Sequence, residues 1–271
     1  MTHDLRERSR ADGQPVRLYD FQRGVLRWTY CSADRDIVFG GLTYQAKAIG
    51  DDGIRQSGET SADALTITAP WDIEVVRPFR GVPPSAEIAV TVRDMHYGET
   101  EATVSWVGSI ATVKRPAPNK CEIVCQSLSA SMDRSGLTLS WSRNCPFNVF
   151  DASCKADRNG YKVLATVQDL TGAAISSGTF ASRPDGWFSG GYIEWDIGNG
   201  EIERRGIEEH AGSTLNLLGG SDGISLGLAV TAYPGCSRVI QVCNDKFNNM
   251  PNYGGVWHMP GKSPFDGTPI F

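Results

Sequence analysis

The stretch VRLYDFQRGVLRWTY, residues 16–30, alternates apolar and polar side chains over 16–21 and again over 25–30, with Arg23-Gly24 between the two runs. A period of two sends successive side chains to opposite faces, so each run reads as a strand and the dipeptide as a turn. The same signature spreads outward through 36–39, 42–45, 65–68, 87–93, 102–113 and 120–126, several of them rich in Val, Ile, Thr and Trp. WDIEVVR, within 70–78, is a candidate short helix capped by Thr68 or Asp72, and the extension 2–11 is helical or loose. The pattern weakens between 127 and 136. A domain boundary is therefore expected there, with a first domain over 1–130 and a second over 131–271.

The second half opens with a strand-like run at 137–141 and a loop, RNCPFNVFDASCKADRNG, at 143–160. Strand runs resume at 161–168, 187–195, 202–209, 214–218 and 224–232, separated by turn signals at 169–172, 183–186, 198–200 and 219–223. Short strands at this spacing predict a small antiparallel barrel. Pro234-Gly235 precedes a predicted helix over 237–247 with Ser237 as its N-cap. Residues 248–271 carry four Pro and four Gly, which predicts an irregular arm. The fold class is mainly β.

Composition narrows the function. Of 271 residues 40% are apolar and 21% charged, which marks a globular chain, and 30 glycines indicate many turns. A net charge of −5 argues against a basic nucleic-acid footprint. The apolar runs are shorter than the ~18 residues of a membrane span, and the charged N-terminus lacks the apolar core of a secretory signal. The expectation is a soluble protein made in the cytoplasm.

Chemistry concentrates in seven cysteines, an odd number that argues against a disulfide framework. Cys31, Cys121 and Cys125 fall on predicted strands and read as small core hydrophobes. Cys145 and Cys154 sit in a polar loop, Cys236 in a turn and Cys243 in the predicted helix. These two pairs, C-x8-C and C-x6-C, flank 81 residues and look like ligands that the fold brings together. Neither spacing matches the short C-x2-C hairpin of a zinc ribbon. On one continuous helix, Cys236 and Cys243 would have Cα atoms about 10.5 Å apart. That is wide for one tetrahedral zinc and easier for a four-iron cluster, unless Pro234-Gly235 leaves Cys236 outside the helix. Arg143, Lys155, Arg158, Arg238 and Lys246 outnumber Asp151, Asp157 and Asp245 nearby, as suits a thiolate site.

The strings GWFSGGYIEWDIGNG, EIERRGIEEHAGSTLNLL and PGCSRVIQVCNDKFNNMPNYGGVWHMPG resemble the tail-tip hub proteins of tailed phages and gene-transfer agents, counterparts of the minor tail protein L of lambda-like phages. The resemblance covers about 145–260, with GC-x6-C followed by N-x-G-G its most specific part; the first half is similar in strand pattern only. It implies a virion tail-tip protein with a tail-tube-like β-sandwich or barrel as first domain and a small barrel closed by a metal cluster as second. It implies a homotrimer linking the tube-end protein to the central fibre or baseplate hub protein, with DNA only in passage and no membrane. It further implies no enzymatic activity and a [4Fe–4S] cluster on Cys145, Cys154, Cys236 and Cys243. PFNVFDAS, between the first two cysteines, is looser than the family pattern.

A zinc-stapled tail binding module is one alternative, and a tail-associated cell-wall hydrolase another. The hydrolase needs a cysteine paired with a base, for which Cys125 with His210 is the conceivable choice. His258 reads as an arm residue, and Asp94-Met95-His96 as a turn. Glu201, Glu203, Glu208 and Glu209 read as a solvated acidic face. GGSDG, at 219–223, lacks the lysine and helix of a phosphate loop and reads as a hairpin turn. Trp28, Trp106, Trp141, Trp187, Trp195 and Trp257 read as core or interface anchors.

Overall fold

The computed structural model describes residues 3–9, 11, 13–55, 63–133, 136, 139 and 141–259. By its contacts the chain divides into two units, one of residues 1–135 with 197–203 and one of 136–196 with 204–271. The segment 197–203 lies within the sequence range of the second domain and groups with the first.

The first unit holds β1 (Pro15–Arg23), β2 (Leu26–Cys31), β3 (Ile37–Phe39), β4 (Leu42–Ala46), β5 (Gly50–Asp51), β6 (Leu65–Pro70), β7 (Ala89–His96), β8 (Thr103–Ala117) and β9 (Lys120–Ser127). They form one sheet in the order β3-β4-β2-β1-β7-β8-β9-β6-β5. Neighbours are antiparallel except β2 and β4, whose pairing is parallel. The stretch 16–30 is the β1–β2 hairpin, Leu18 facing Cys31 and Arg23 facing Leu26. β1 is buried on both faces. Tyr19 and Phe21 join a core with Ile67, Val90 and Ile123, whereas Val16 and Leu18 pack with Cys31, Tyr44 and Met95 on the other side.

Cys31, Cys121 and Cys125 are all fully buried, as their placement on strands predicts. Burial pushes the Cys125 thiol up to about 12, so it is protonated and inert at neutral pH. WDIEVVR forms a tighter turn than expected. Glu74–Phe79 is a 3-10 helix that buries Val75 and Val76, and Pro78 bars a longer α-helix. α1 (His3–Glu7) precedes the sheet.

Buried charges in this unit are paired. Asp20 takes both Arg27 (2.8 Å to Nε) and Arg93 (3.3 Å). Glu203 is a correction to the solvated acidic face. It is 7% exposed, ion-paired to the buried Arg23 at 2.7 Å, and accepts the Ser85 N–H at 2.7 Å. Asp51 accepts from Arg17 (2.6 Å) and from the Tyr19 hydroxyl (2.6 Å).

Burial alone would raise the Asp51 and Glu203 carboxyls. Hydrogen bonds from Arg17 and Tyr19 to Asp51, and from Ser85 and Arg23 to Glu203, hold both below the usual carboxylate range instead. A folded-state value below the unfolded one gives stability that is present above the carboxylate range and lost as pH falls through it. The first unit's calorimetric midpoint is therefore expected to fall steadily between about pH 5 and pH 2. Arg17→Met should make that fall shallower. A wild-type midpoint that is flat over this range would refute the assignment.

The second unit holds β10 (Val163–Thr166), β11 (Asp169–Thr171), β12 (Ala174–Ser176), β13 (Tyr192–Asp196), β14 (Ile202–Ala211, its first two residues grouped with the first unit), β15 (Thr214–Leu217) and β16 (Ala229–Tyr233), in the order β10-β16-β13-β14-β15-β12-β11. β10 and β11, the two edges, are consecutive halves of one run interrupted by residues 167 and 168 alone. The sheet thus turns back toward itself as a half-barrel. Its core gathers Ile175, Phe180, Phe188, Ile193, Trp195 and Leu215.

Three expectations are corrected here. Residues 169–172, read as a turn, contain β11, because Gly172 (φ +60°) makes a hairpin with only three residues on each side. GGSDG is no hairpin turn. It lies on the crossover from β15, which pairs with β12 and β14, to β16, which pairs with β10 and β13. The helix over 237–247 shrinks to α2 (Ile240–Asp245), capped by an extended Val239 rather than by Ser237. The run expected at 137–141 lies largely outside the described residues, as does the second half of the C-terminal arm, 260–271.

Trp106 and Trp195 are core residues, at 7% and 3% exposure. Trp141 and Trp257 stand in solvent, at 83% and 52%.

Candidate functional site

Cys145, Cys154, Cys236 and Cys243 line a single cavity, together with Arg238 and Tyr253 among others. Its volume is about 20 Å³. Organic-ligand pockets run to several hundred Å³, roughly 300 or more, so this one is too small for an organic ligand. Larger recesses of about 600 and 570 Å³ in the first unit have neither cysteine nor histidine in their lining.

Each thiol arrives on its own piece of local structure. Cys145 is anchored through its N–H, which donates to the Arg238 carbonyl at 2.8 Å and joins the first loop to the segment that carries Cys236. Asp151 caps the turn before Cys154, accepting the Cys154 N–H at 2.6 Å and the Ser153 N–H at 2.9 Å. Cys236 precedes α2 and Cys243 lies within it. The two are therefore not spaced along one continuous helix, and the distance that disfavoured a single tetrahedral ion no longer applies.

The surrounding backbone is held in costly conformations. Among the described residues five non-glycine residues have positive φ, and four of them flank these cysteines: Phe150 (66°), Lys155 (59°), Arg238 (63°) and Asn248 (44°). Such residues persist where the surroundings over-determine them, and they cluster at functional sites. Glycines explain part of the motif. A Cβ on Gly235 would sit 1.9 Å from the Ser189 carbonyl oxygen, and one on Gly255 2.4 Å from that of Arg143. Both positions demand a bare backbone, so the chain can close around the thiols.

The sulfurs sit among donors. The Arg238 N–H points to Cys236 Sγ at 3.4 Å, and Asn249 Nδ2 to Cys154 Sγ at 3.6 Å. Asn249 Nδ2 also donates to the Cys154 carbonyl at 2.5 Å, and the Tyr253 hydroxyl to the Arg143 carbonyl at 2.6 Å. Burial first, and then the neighbouring Cys236, Cys154 and Cys145, together raise the Cys243 thiol to about 11. The four groups therefore interact electrostatically. Among the described residues no three His, Cys, Asp or Glu side chains already stand in metal-holding geometry. The donor chemistry still fits a metal: four thiols without a carboxylate or imidazole in the cavity form a soft set, which suits zinc or an iron–sulfur cluster.

The competing sites disperse. Cys125 and His210 belong to different units, both buried. The His210 ring packs edge-on against Phe188 at 4.9 Å, with Nε2 at 3.0 Å from the Gly212 carbonyl oxygen. His258 is exposed and lies against the Trp257 ring.

The two-unit, mainly β fold has a counterpart among solved structures. The fold is similar over 99% of its length to a chain of a solved structure titled "Virion of native gene transfer agent (GTA) particle", covering 96% of that chain at a TM-score of 0.81 and 19% identity. Residues 17–157 match the family described as baseplate hub protein, N-terminal attachment domain, and 186–263 match the family phage conserved hypothetical protein BR0599. The chain belongs to the phage baseplate hub family and is a component of the virion tail. An uncharacterized protein of Xylella fastidiosa (strain 9a5c) is 33% identical over 185 residues, 63% of this chain and 38% of that protein, so the chain spans well under half of this relative's length.

Proposed function

We propose that this protein is a non-enzymatic hub of the tail tip, whose second unit carries a structural metal centre on Cys145, Cys154, Cys236 and Cys243. The observation that carries the reading is the meeting of all four cysteines at one cavity in a chain of the baseplate hub family. A metal bound there supplies a crosslink between the loop at 145–154 and the segment at 236–243. That crosslink pins the two ends of the intervening sheet, and its binding free energy becomes folding free energy. The resemblance favours a [4Fe–4S] cluster. Zinc is the second reading, favoured by the short α2, which frees Cys236 to approach a single ion.

Three copies close into a cyclic ring around the tail channel, the usual solution for identical subunits. The first unit attaches to the tube-end protein, and the ring links it to the central fibre or baseplate protein. Two measurements test this. Protein purified without oxygen is expected to contain four iron and four acid-labile sulfide per chain. Zinc without sulfide would replace the cofactor, and no metal would remove the centre. Reconstruction of particles is expected to show three copies per tail; one or six would overturn the ring.

A further inference from the structure

Among the described residues Lys246 is a cation without an acidic partner. Its partly buried ammonium donates to the Trp187 carbonyl at 2.5 Å and to the Gly235 carbonyl at 2.7 Å. It also lies over the rings of Trp187 (4.7 Å) and Phe247 (5.5 Å). Burying a charge unpaired is costly, and buried charges in proteins are paired or coordinate metals. Burial lowers the Lys246 ammonium to about 8, and negative charge on Cys236 acts in the opposite direction, favouring the ammonium.

Its position in the chain is equally specific. Lys246 follows Cys243 by three residues and is bonded to the residue immediately before Cys236, so it straps together the two segments bearing those cysteines. Four thiolates around a divalent core leave net negative charge in a small, partly buried space. Lys246 stands just outside the cavity's lining; Arg238 is part of that lining, but its guanidinium is turned to Asn148 Oδ1 at 2.9 Å.

We propose that Lys246 is the built-in counter-cation of the four-cysteine site, a positioning residue that offsets thiolate charge and holds the Cys236 and Cys243 segments together. This rests on the reading of those cysteines as ligands.

Cobalt(II) titrated into metal-free full-length protein tests it, because thiolate-to-cobalt charge-transfer absorption reports sulfur ligation. Lys246→Gln keeps donors for the two carbonyls and removes the charge. It is expected to bind cobalt about 10- to 100-fold more weakly, the range for groups that support metal ligands. Lys246→Arg should retain most of the affinity. A glutamine variant as tight as wild type would overturn the proposal, as would an arginine variant as weak as the glutamine one. A wild type without the charge-transfer band would overturn the ligand assignment itself, a result distinct from either. Wild-type protein gives an independent readout should a variant fail to fold. Zinc binding is expected to slow exchange of the Lys246 ammonium protons in NMR, and unchanged exchange would refute the counter-cation role.

Discussion

Cys145→Ser and Cys236→Ser are expected to abolish metal binding and to unfold much of the second unit. A structural zinc contributes about 10–16 kcal/mol in zinc-finger peptides, as much as the whole stability of an ordinary domain, about 5–15 kcal/mol. Losing one thiolate also leaves the left-handed residues Phe150, Lys155 and Arg238 without the constraint that holds them. Hydrogen exchange should show protection collapsing over 142–259 while the sheet of 15–127 stays protected. Tails assembled with either variant should lack a working tip. Cys31→Ser and Cys121→Ser are the controls. Both thiols are buried in the first unit, so a hydroxyl there costs about 1–3 kcal/mol of its stability and leaves metal content unchanged. Full metal retention in the Cys145 and Cys236 variants would refute the site.

Glu203→Ala should produce the largest loss in the first unit that involves no metal. Arg23 is 2% exposed, and its Nη2 lies 2.7 Å from Glu203 Oε2. Removing the carboxylate strands a guanidinium in the interior and frees the Ser85 N–H. Breaking one side of a buried ion pair costs about 3–5 kcal/mol, which corresponds to roughly a 10–20 °C fall in the melting midpoint of a domain this size. Replacing both partners together with apolar residues should recover much of that loss. A midpoint within about 2 °C of wild type for the single variant would show that the pair is solvated.

Residue alternation made much of the β-architecture legible. The runs at 16–21, 25–30 and 120–126 lie inside β1, β2 and β9, apart from Val25, one residue ahead of β2. Periodicity found the three-residue β3 within the run at 36–39 but missed β11 and β12, equally short and joined at Gly172, where only the turn was visible. The helix limit was hidden for a different reason: Val239 takes an extended backbone and Arg238 a left-handed one, with the Arg238 carbonyl engaged by the Cys145 N–H. That tertiary contact outweighs the helical pattern of 237–247. Glu203 looked like surface because its partner lies 180 positions upstream, a separation no local pattern encodes. The four cysteines stood out by their loop settings and by the resemblance. Their convergence on one cavity required the fold.

The strand edges carry a consequence for how the protein behaves when crowded. Among the described residues the sheet margins are β3 and β5 in one unit, with three and two residues, and β10 and β11 in the other, with four and three. Unpaired backbone groups on such short margins offer a neighbouring chain no template long enough to propagate cross-β stacking. Copies brought side by side at high local concentration must therefore recognise one another through side chains. The geometry of an assembly is then set by surface chemistry, and at these margins amyloid-like polymerisation has little backbone on which to start.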